Sequence, residues 1–299
     1  MSSGLQSAGK RAVSIVIPFY NPGSFFLPAL QSVFAQTFTD WELLLIDDGS
    51  KDGSLEIASR LEDERVKVFA DGANRGLSYR LNQGAQLACG EYLFRMDADD
   101  IMHPERLGLQ LAVLQASSRE TVVGTACYSI DMNSKVVGWR PVNSSQNTGF
   151  AARHSFIHPT VAATTSWFRK NPYSEEYIYR RAEDSELWCR TATSAEFKWI
   201  ERPLFFYREI GVFSLGNYLA GEEALLELIR RLEHGLPRRW ILGAKELVKI
   251  GLFRGLAALH CNDLIVRHRY RKLLPNGLEE AERAISLVMQ TALPTGYGE

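Results

Sequence analysis

Tyr92-Leu93-Phe94-Arg95-Met96-Asp97-Ala98-Asp99-Asp100 is a short, mostly apolar run that ends in three carboxylates within four residues. The run predicts a buried strand over 92–96. Like charges gathered at a strand terminus repel, and leaving them buried and unpaired costs several kcal/mol each, so a cationic partner is expected there. A divalent ion is the simplest one. Hard oxygen ligands suit Mg²⁺ or Mn²⁺, which take one or two protein carboxylates and complete their shells with water and substrate phosphates. That chemistry points toward a nucleoside-diphosphate substrate. The plain alternative is a solvated acidic turn, since an isolated Asp-x-Asp is common by chance.

Upstream, strand and helix signals alternate. Apolar runs at 13–17, 43–46 and 66–69 precede the one at 92–96, and helical spacing occupies 25–35, 55–61 and 77–88. Strands alternating with helices of this length predict βαβ units, hence an α/β fold with a mostly parallel sheet flanked by helices. In such sheets ligands bind at the carboxyl ends of the strands. There the chain places Tyr20-Asn21, Asp47-Asp48 and Asp97 to Asp100. Downstream the pattern predicts a helix over 104–116, a hairpin of 122–130 with 135–139 around Met132-Asn133-Ser134, and a loop over 141–150. His158-Pro159-Thr160 follows, then Glu183-Asp184 opening a helix over 185–192, and a helical pattern beyond 216.

The 299 residues carry 45% hydrophobic content and a net charge of −1, enough for a large core and no global argument for nucleic-acid binding. Cys89, Cys127, Cys189 and Cys261 lie far apart, as expected of reduced thiols packed as small hydrophobes. The apolar run after the polar N-terminus is too short for a signal-peptide core and no segment is long enough to span a bilayer, so a cytoplasmic location is expected. Charge is uneven. Residues 236–274 hold nine Lys or Arg against two acids, a local +7 that leaves the rest of the chain near −8. Interleaved with Trp240, Ile241, Leu242, Leu247, Val248, Ile250, Leu252, Phe253 and Leu256, these cations suit either a helix on an anionic membrane surface, the inner face included, or an ordinary packed helical subdomain.

Neither a G-x-G-x-x-G nor a G-x-x-x-x-G-K-[ST] phosphate cradle is present. What the chain does contain is an ordered set: Val13 through Pro18-Phe19-Tyr20-Asn21; Asp47-Asp48-Gly49-Ser50; Asn74-Arg75-Gly76-Leu77 with Arg80; Gly90-Glu91-Tyr92 running into Asp97-Ala98-Asp99-Asp100; and Glu183-Asp184. As a set, over about residues 12–210, it resembles the family 2 glycosyltransferases with the GT-A fold, of the bacterial glycan-assembly type.

The resemblance implies an inverting, metal-dependent enzyme. It would move a hexosyl or N-acetylhexosaminyl group from a nucleotide-sugar, UDP-linked by preference, to a hydroxyl of a glycan or lipid-linked glycan. Pro18 and Tyr20 would line the nucleobase pocket, Asp48 would accept from the base imide, Arg80 would add a cation near base or phosphates, Asp97 would contact the ribose, and Asp99 would ligate Mn²⁺ or Mg²⁺. Asp184 would be the general base, with His158 and Glu183 at the acceptor site. His158 also suits a hydrogen-bonded core residue. The implied organisation is a disordered 1–11, a catalytic domain over 12–215 (nucleotide-binding half 12–100, acceptor half 101–215), and a basic helical extension over 216–299. Alternatives are a non-catalytic nucleotide-sugar or glycan-binding module of the same fold, disfavoured by the intact acids, and a sugar nucleotidylyltransferase, which needs a glycine-rich basic loop where Pro18-Phe19-Tyr20-Asn21 stands.

Overall fold

In the computed structural model, residues 11–142, 156–208, 215–232, 235–258 and 271–295 are described. The expected loop beyond residue 142, the N-terminal ten residues and Cys261 lie outside them. The first half follows the expected alternation: β1 (Val13–Phe19), α1 (Phe26–Phe34), β2 (Trp41–Asp47), α2 (Ser54–Ser59), β3 (Val66–Phe69), α3 (Leu77–Leu87) and β4 (Tyr92–Arg95). These four strands are parallel, ordered β3-β2-β1-β4. Side chains alternate across each strand. Val13, Ile15 and Ile17 of β1 pack with α1, whereas Val16, Leu44 and Ile46 face α3 and Trp167 on the other side. Both faces of β1 and β2 are therefore buried, so their cores read as near-continuous apolar runs, whereas β3, at the edge of the sheet, is only half-buried and carries the exposed Lys67.

The second half adds β5 (Ile101–Met102), α4 (Arg106–Gln115), β6 (Thr121–Ile130), β7 (Val136–Arg140), β8 (Ala162–Thr164), α5 (Thr165–Lys170), α6 (Glu183–Thr191) and β9 (Glu196–Arg208). β6 and β7 form the expected antiparallel hairpin. β8 runs antiparallel between β4 and β6, and β9 pairs parallel with β6 and antiparallel with β5. The pairing of β6 with β9 slips between Thr125 and Ala126, opposite Pro203, which has no N–H to give a ladder. The C-terminal helices are α7 (Leu215–Leu232), α8 (Leu236–Ala258) and α9 (Pro275–Met289). α7 packs Leu225, Leu228 and Ile229 on Tyr179 and Ala182, whereas α9 buries Ala281, Ala284 and Val288 against Ile101, Tyr128 and Phe206. After α9 the chain reaches the loop between α2 and β3, where Glu62 N donates to the Pro294 carbonyl at 2.7 Å.

The entry to β4 is tight. Gly90 N donates to Ser14 Oγ (2.8 Å), and Ser14 Oγ donates to the buried Glu42 carboxylate (2.6 Å), which Lys67 also pairs. A β-carbon at Gly90 would lie 2.6 Å from Ser14 N and 2.7 Å from the Val13 carbonyl carbon, and backbone cannot yield as a side-chain tip does. Gly90→Ala is expected to lose about 2–3 kcal/mol of stability in urea unfolding, within the range of overpacked cores. A loss below about 0.5 kcal/mol, as at an ordinary surface position, would show that β1 and β4 can part here.

Candidate active site at the carboxyl edge of the sheet

β1, β2 and β4 all deliver polar residues to the same edge. At the end of β1, Pro18 is buried and Tyr20 exposed, with Phe19 stacked on Phe26 at 4.8 Å. At the end of β2 the two aspartates divide. Asp47 accepts from Gly49 N (3.1 Å) and Ser50 N (2.9 Å) and so forms the turn. Asp48 points across to the loop before α3, where it accepts from Arg75 N (2.7 Å), Gly76 N (3.0 Å) and Arg80 Nε (2.8 Å). Gly76 has φ +88°, a backbone conformation that glycine takes without strain, and so it turns its N–H toward Asp48.

Arg80, expected as a cation near base or phosphates, is held by protein groups at the cleft wall. It is 1% exposed, and all three guanidinium nitrogens are engaged: Nε by Asp48, one terminal nitrogen by Gln83 (2.9 Å) and the other by Asp71 (2.6 Å) and the Ala73 carbonyl. It braces Asp48. Asp71, gripped chiefly by Arg80, is held well below the usual carboxylate range.

Pro18, Tyr20, Asp48 and Arg80 line one cleft of about 740 Å³, together with Glu183 and Asn217. The acids after β4 form a second group. Carboxylate oxygens of Asp97, Asp99 and Asp100 lie within 4.8 Å of one another. Arg95, buried on β4, forks onto Asp97 through both terminal nitrogens. Asp100 accepts from Arg208 N (2.8 Å), and Arg208 Nε donates to the Asp99 carbonyl (2.8 Å). Burial, then Asp97, raises Asp99 to about 6; burial, then Asp99, raises Asp100 well above its ordinary range. Asp100 Oδ2 is buried with no hydrogen-bond partner among the described residues. An orphaned buried carboxylate oxygen beside two further hard oxygen donors fits a divalent cation such as Mn²⁺ or Mg²⁺.

The third group sits at the start of α6. Glu183 and Asp184 occupy its first turn, where the helix macrodipole favours negative charge. Asp184 is partly buried and accepts from Ser185 N at 2.7 Å; burial raises its carboxyl. Glu183 is buried, its Oε2 without a hydrogen-bond partner among the described residues, and burial followed by Asp184 raises it to about 8. His158 Nε2 hydrogen-bonds Tyr173 Oη (3.0 Å) and its Nδ1 lies 3.8 Å from Glu183. Burial holds His158 well below its ordinary value, so this is a contact of neutral groups near neutral pH rather than an ion pair. Arg95 joins the groups: burial works against its charge, and Asp97, Tyr173, Glu183 and Asp100 more than offset that.

Arg95, Arg208, Tyr173 and Asp71 are site-supporting residues that sequence reasoning missed. Arg95 had a signal, a charge inside an otherwise apolar strand; Arg208 and Tyr173 had none before their elements were known.

Three groups of side chains on the loops beyond a parallel sheet, one of them a carboxylate cluster, mark a ligand-binding α/β protein of the doubly wound kind. A model described as Glycosyl transferase family 2 matches residues 14–177, and the chain belongs to that family. It is 33% identical over 183 residues to the putative glycosyltransferase EpsE of Bacillus subtilis, covering 60% of this chain and 66% of that protein. It is 32% identical over 114 residues to the glycosyltransferase GlyG of Streptococcus pneumoniae, covering 38% of each. The chain thus spans less than two thirds of the length of these relatives. In fold it is similar to Staphylococcus aureus TarS 1-349 in complex with UDP-GlcNAc, with TM-score 0.58 at 17% identity over 79% of this chain and 71% of that one. It is also similar to the mannosyltransferase PcManGT of Pyrobaculum calidifontis in complex with GDP-Man and Mn²⁺, with TM-score 0.54 at 16% identity over 94% of this chain and 86% of that one. The GT-A fold is therefore the one expected.

Two outcomes follow from this geometry. Arg80→Met strands Asp48 beside a partly exposed Asp71, and a stability loss of about 3 kcal/mol is expected in chemical denaturation. Loss within about 0.5 kcal/mol would mean that Asp48 is held by backbone N–H groups alone. The second concerns Glu183, whose folded-state carboxyl titrates near 8 against an ordinary value of 4.5. Between those values the folded chain holds a proton that the unfolded chain has released, so this group's contribution to stability falls as pH rises through the window. Glu183→Gln should flatten the pH dependence of the melting temperature over that range and gain on wild type toward its upper end. An unchanged profile would place Glu183's carboxyl near its ordinary value.

Proposed function

We propose that the chain transfers a sugar from a nucleotide-sugar, UDP-linked by preference, to a hydroxyl of a glycan or lipid-linked glycan, with inversion at the anomeric carbon. One observation carries this reading: a single cleft runs from Asp48 and Tyr20 to Glu183 at the start of α6, and Arg95 links Glu183 electrostatically to the three aspartates after β4. Family membership supports it, as do the nucleotide-sugars bound by the two structural neighbours.

In this reading Pro18 and Tyr20 wall the nucleobase, and Asp48, braced by Arg80, accepts from the base imide. Asp97 contacts the ribose with the lone pairs that Arg95 leaves free. Asp99, with Asp97 and Asp100 beside it, would hold Mn²⁺ or Mg²⁺; such an ion, when bound, offsets charge on the leaving diphosphate as a Lewis acid. Asp184 takes the proton of the acceptor hydroxyl as its oxygen bonds the anomeric carbon and the bond from that carbon to the diphosphate oxygen breaks. Burial raises the Asp184 carboxyl, which makes it a better proton acceptor than an exposed carboxylate. Glu183, protonated near neutral pH, and His158 wall the acceptor side. The nucleotide-binding half is then 12–100, the acceptor half 101–215, and 216–299 the helical extension, with the cleft at their meeting.

Asp184→Asn is expected to lower kcat by a factor on the order of 10² to 10⁴ with donor affinity largely kept. An α-configured donor should give a β-linked product by NMR. Chelation should abolish transfer and Mn²⁺ restore it. Wild-type turnover in Asp184→Asn moves the base elsewhere, a retained anomer contradicts inversion, and full activity in excess EDTA removes the metal.

A further inference from the structure

α8 is turned inside out for a helix on a soluble protein. Its inner side packs on α7: Ile250 and Phe253 are buried, Phe253 meets Tyr218 edge-on at 4.6 Å, and Lys249 Nζ pairs with the buried Glu222 at 2.7 Å. Its outer side, where polar residues belong, carries Trp240 (75% exposed), Ile241, Leu247, Val248 (73% exposed) and Leu252. These positions recur at i, i+1, i+7, i+8 and i+12, so helical geometry gathers them into one stripe about 20 Å long. Ala244, Gly251 and Gly255, also exposed, fall within the stripe.

The edges of the stripe are cationic. Over 236–258 there are five Arg or Lys against the single Glu246. Lys249 and Glu246 are taken up at the α7 interface, whereas Lys245 and Arg254 are exposed and have no ion pair among the described residues. Lys245 borders one side of the apolar stripe and Arg254 the other. A second copy docked symmetrically on this face would bring cationic borders together, and like charges across an interface oppose association. An anionic bilayer surface meets both features at once: apolar side chains enter the headgroup boundary and the basic borders face lipid phosphates.

We propose that α8 is a membrane-surface helix, seating the protein on anionic lipid with Trp240, Leu247, Val248 and Leu252 inserted. The attachment is peripheral, because no helix among the described residues is long and apolar enough to cross a membrane. α8 abuts α7, whose Asn217 lines the cleft, so a seated protein holds that cleft close to the lipid. The lipid affinity itself does not rest on the proposed reaction.

The test is co-sedimentation of the purified chain with phosphatidylcholine vesicles, with and without phosphatidylglycerol, at low and high salt. Binding should require the anionic lipid and weaken with salt. Each basic residue near such a surface is worth about 1 kcal/mol, so Lys245→Gln with Arg254→Gln should lower the partition coefficient about 30-fold. Leu247→Ser with Val248→Ser should lower it at least about tenfold. Unchanged circular dichroism and UDP binding would show that each variant is folded. Equal partitioning to neutral and anionic vesicles, or none to either, overturns the proposal. So does a dimer in light scattering that the Leu247→Ser, Val248→Ser variant abolishes while vesicle binding is absent; that result assigns the stripe to a second copy.

Discussion

Three buried arginines stand behind the aspartates at the carboxyl edge of the sheet, and the geometry of the cluster depends on them. Arg95 forks onto Asp97; Arg208, from the end of β9, holds the Asp100 side chain and the Asp99 carbonyl and reaches the hairpin turn at Asp131 and Ser134. Arg106 lies behind both. It donates to the Arg95 carbonyl, its guanidinium lies 4.9 Å from the Phe205 ring centre, and burial followed by Arg95 lowers it to about 9. Without this rear layer, three carboxylates with oxygens within 4.8 Å of one another would protonate or spread apart. With it they remain crowded, and Asp99 and Asp100 are still pushed upward, which leaves room for one more cation in front.

The same logic separates positioning from contact. Asp47 and Asp48 are chemically identical neighbours, yet one closes a turn and the other is presented to the cleft. Backbone direction at the end of β2 decides this, and Gly49, at φ +82°, allows the chain to double back between them and the loop at Ala73 and Asn74. Arg80 fixes Asp48 from behind as Arg95 fixes Asp97. The ends of β2 and β4 thus each pair one front carboxylate with one buried arginine.

β1, β2 and β4 were legible because strands covered on both faces are mostly apolar, and the Asp-rich ends of β2 and β4 follow from where such strands stop; the edge strand β3 showed through its β-branched and aromatic residues despite the exposed Lys67. Among the later strands the β6–β7 hairpin was legible, whereas β5, β8 and β9 were not. β5 is two residues long, β8 consists of Ala162, Ala163 and Thr164 with little strand signal, and β9 carries charges and Pro203 in its middle. β8 and β9 are held as the ladder partners of β6, and β5 as the partner of β9. The residue types of the candidate site were visible for the same reason as the strands. Burial was not: Arg80 looked like a phosphate-facing cation because a side chain pinned on three nitrogens cannot be told from a free one by its neighbours in the chain. Which side of α8 packs was likewise not legible until α7 was seen to cover Ile250 and Phe253.

If one donor reaches from the cleft at Asp48 to the aspartates after β4, nucleotide and metal must help each other bind, and by the same factor in both directions. The decisive measurement is titration calorimetry of UDP with and without Mn²⁺, of Mn²⁺ with and without UDP, and of uridine as a phosphate-free control. The account predicts that each of UDP and Mn²⁺ tightens the other by about tenfold or more, within the usual range of such coupling or above it, that Asp99→Ala abolishes the coupling, and that uridine binds independently of the metal. Equal UDP affinity with and without Mn²⁺, or coupling that uridine shares, would contradict it.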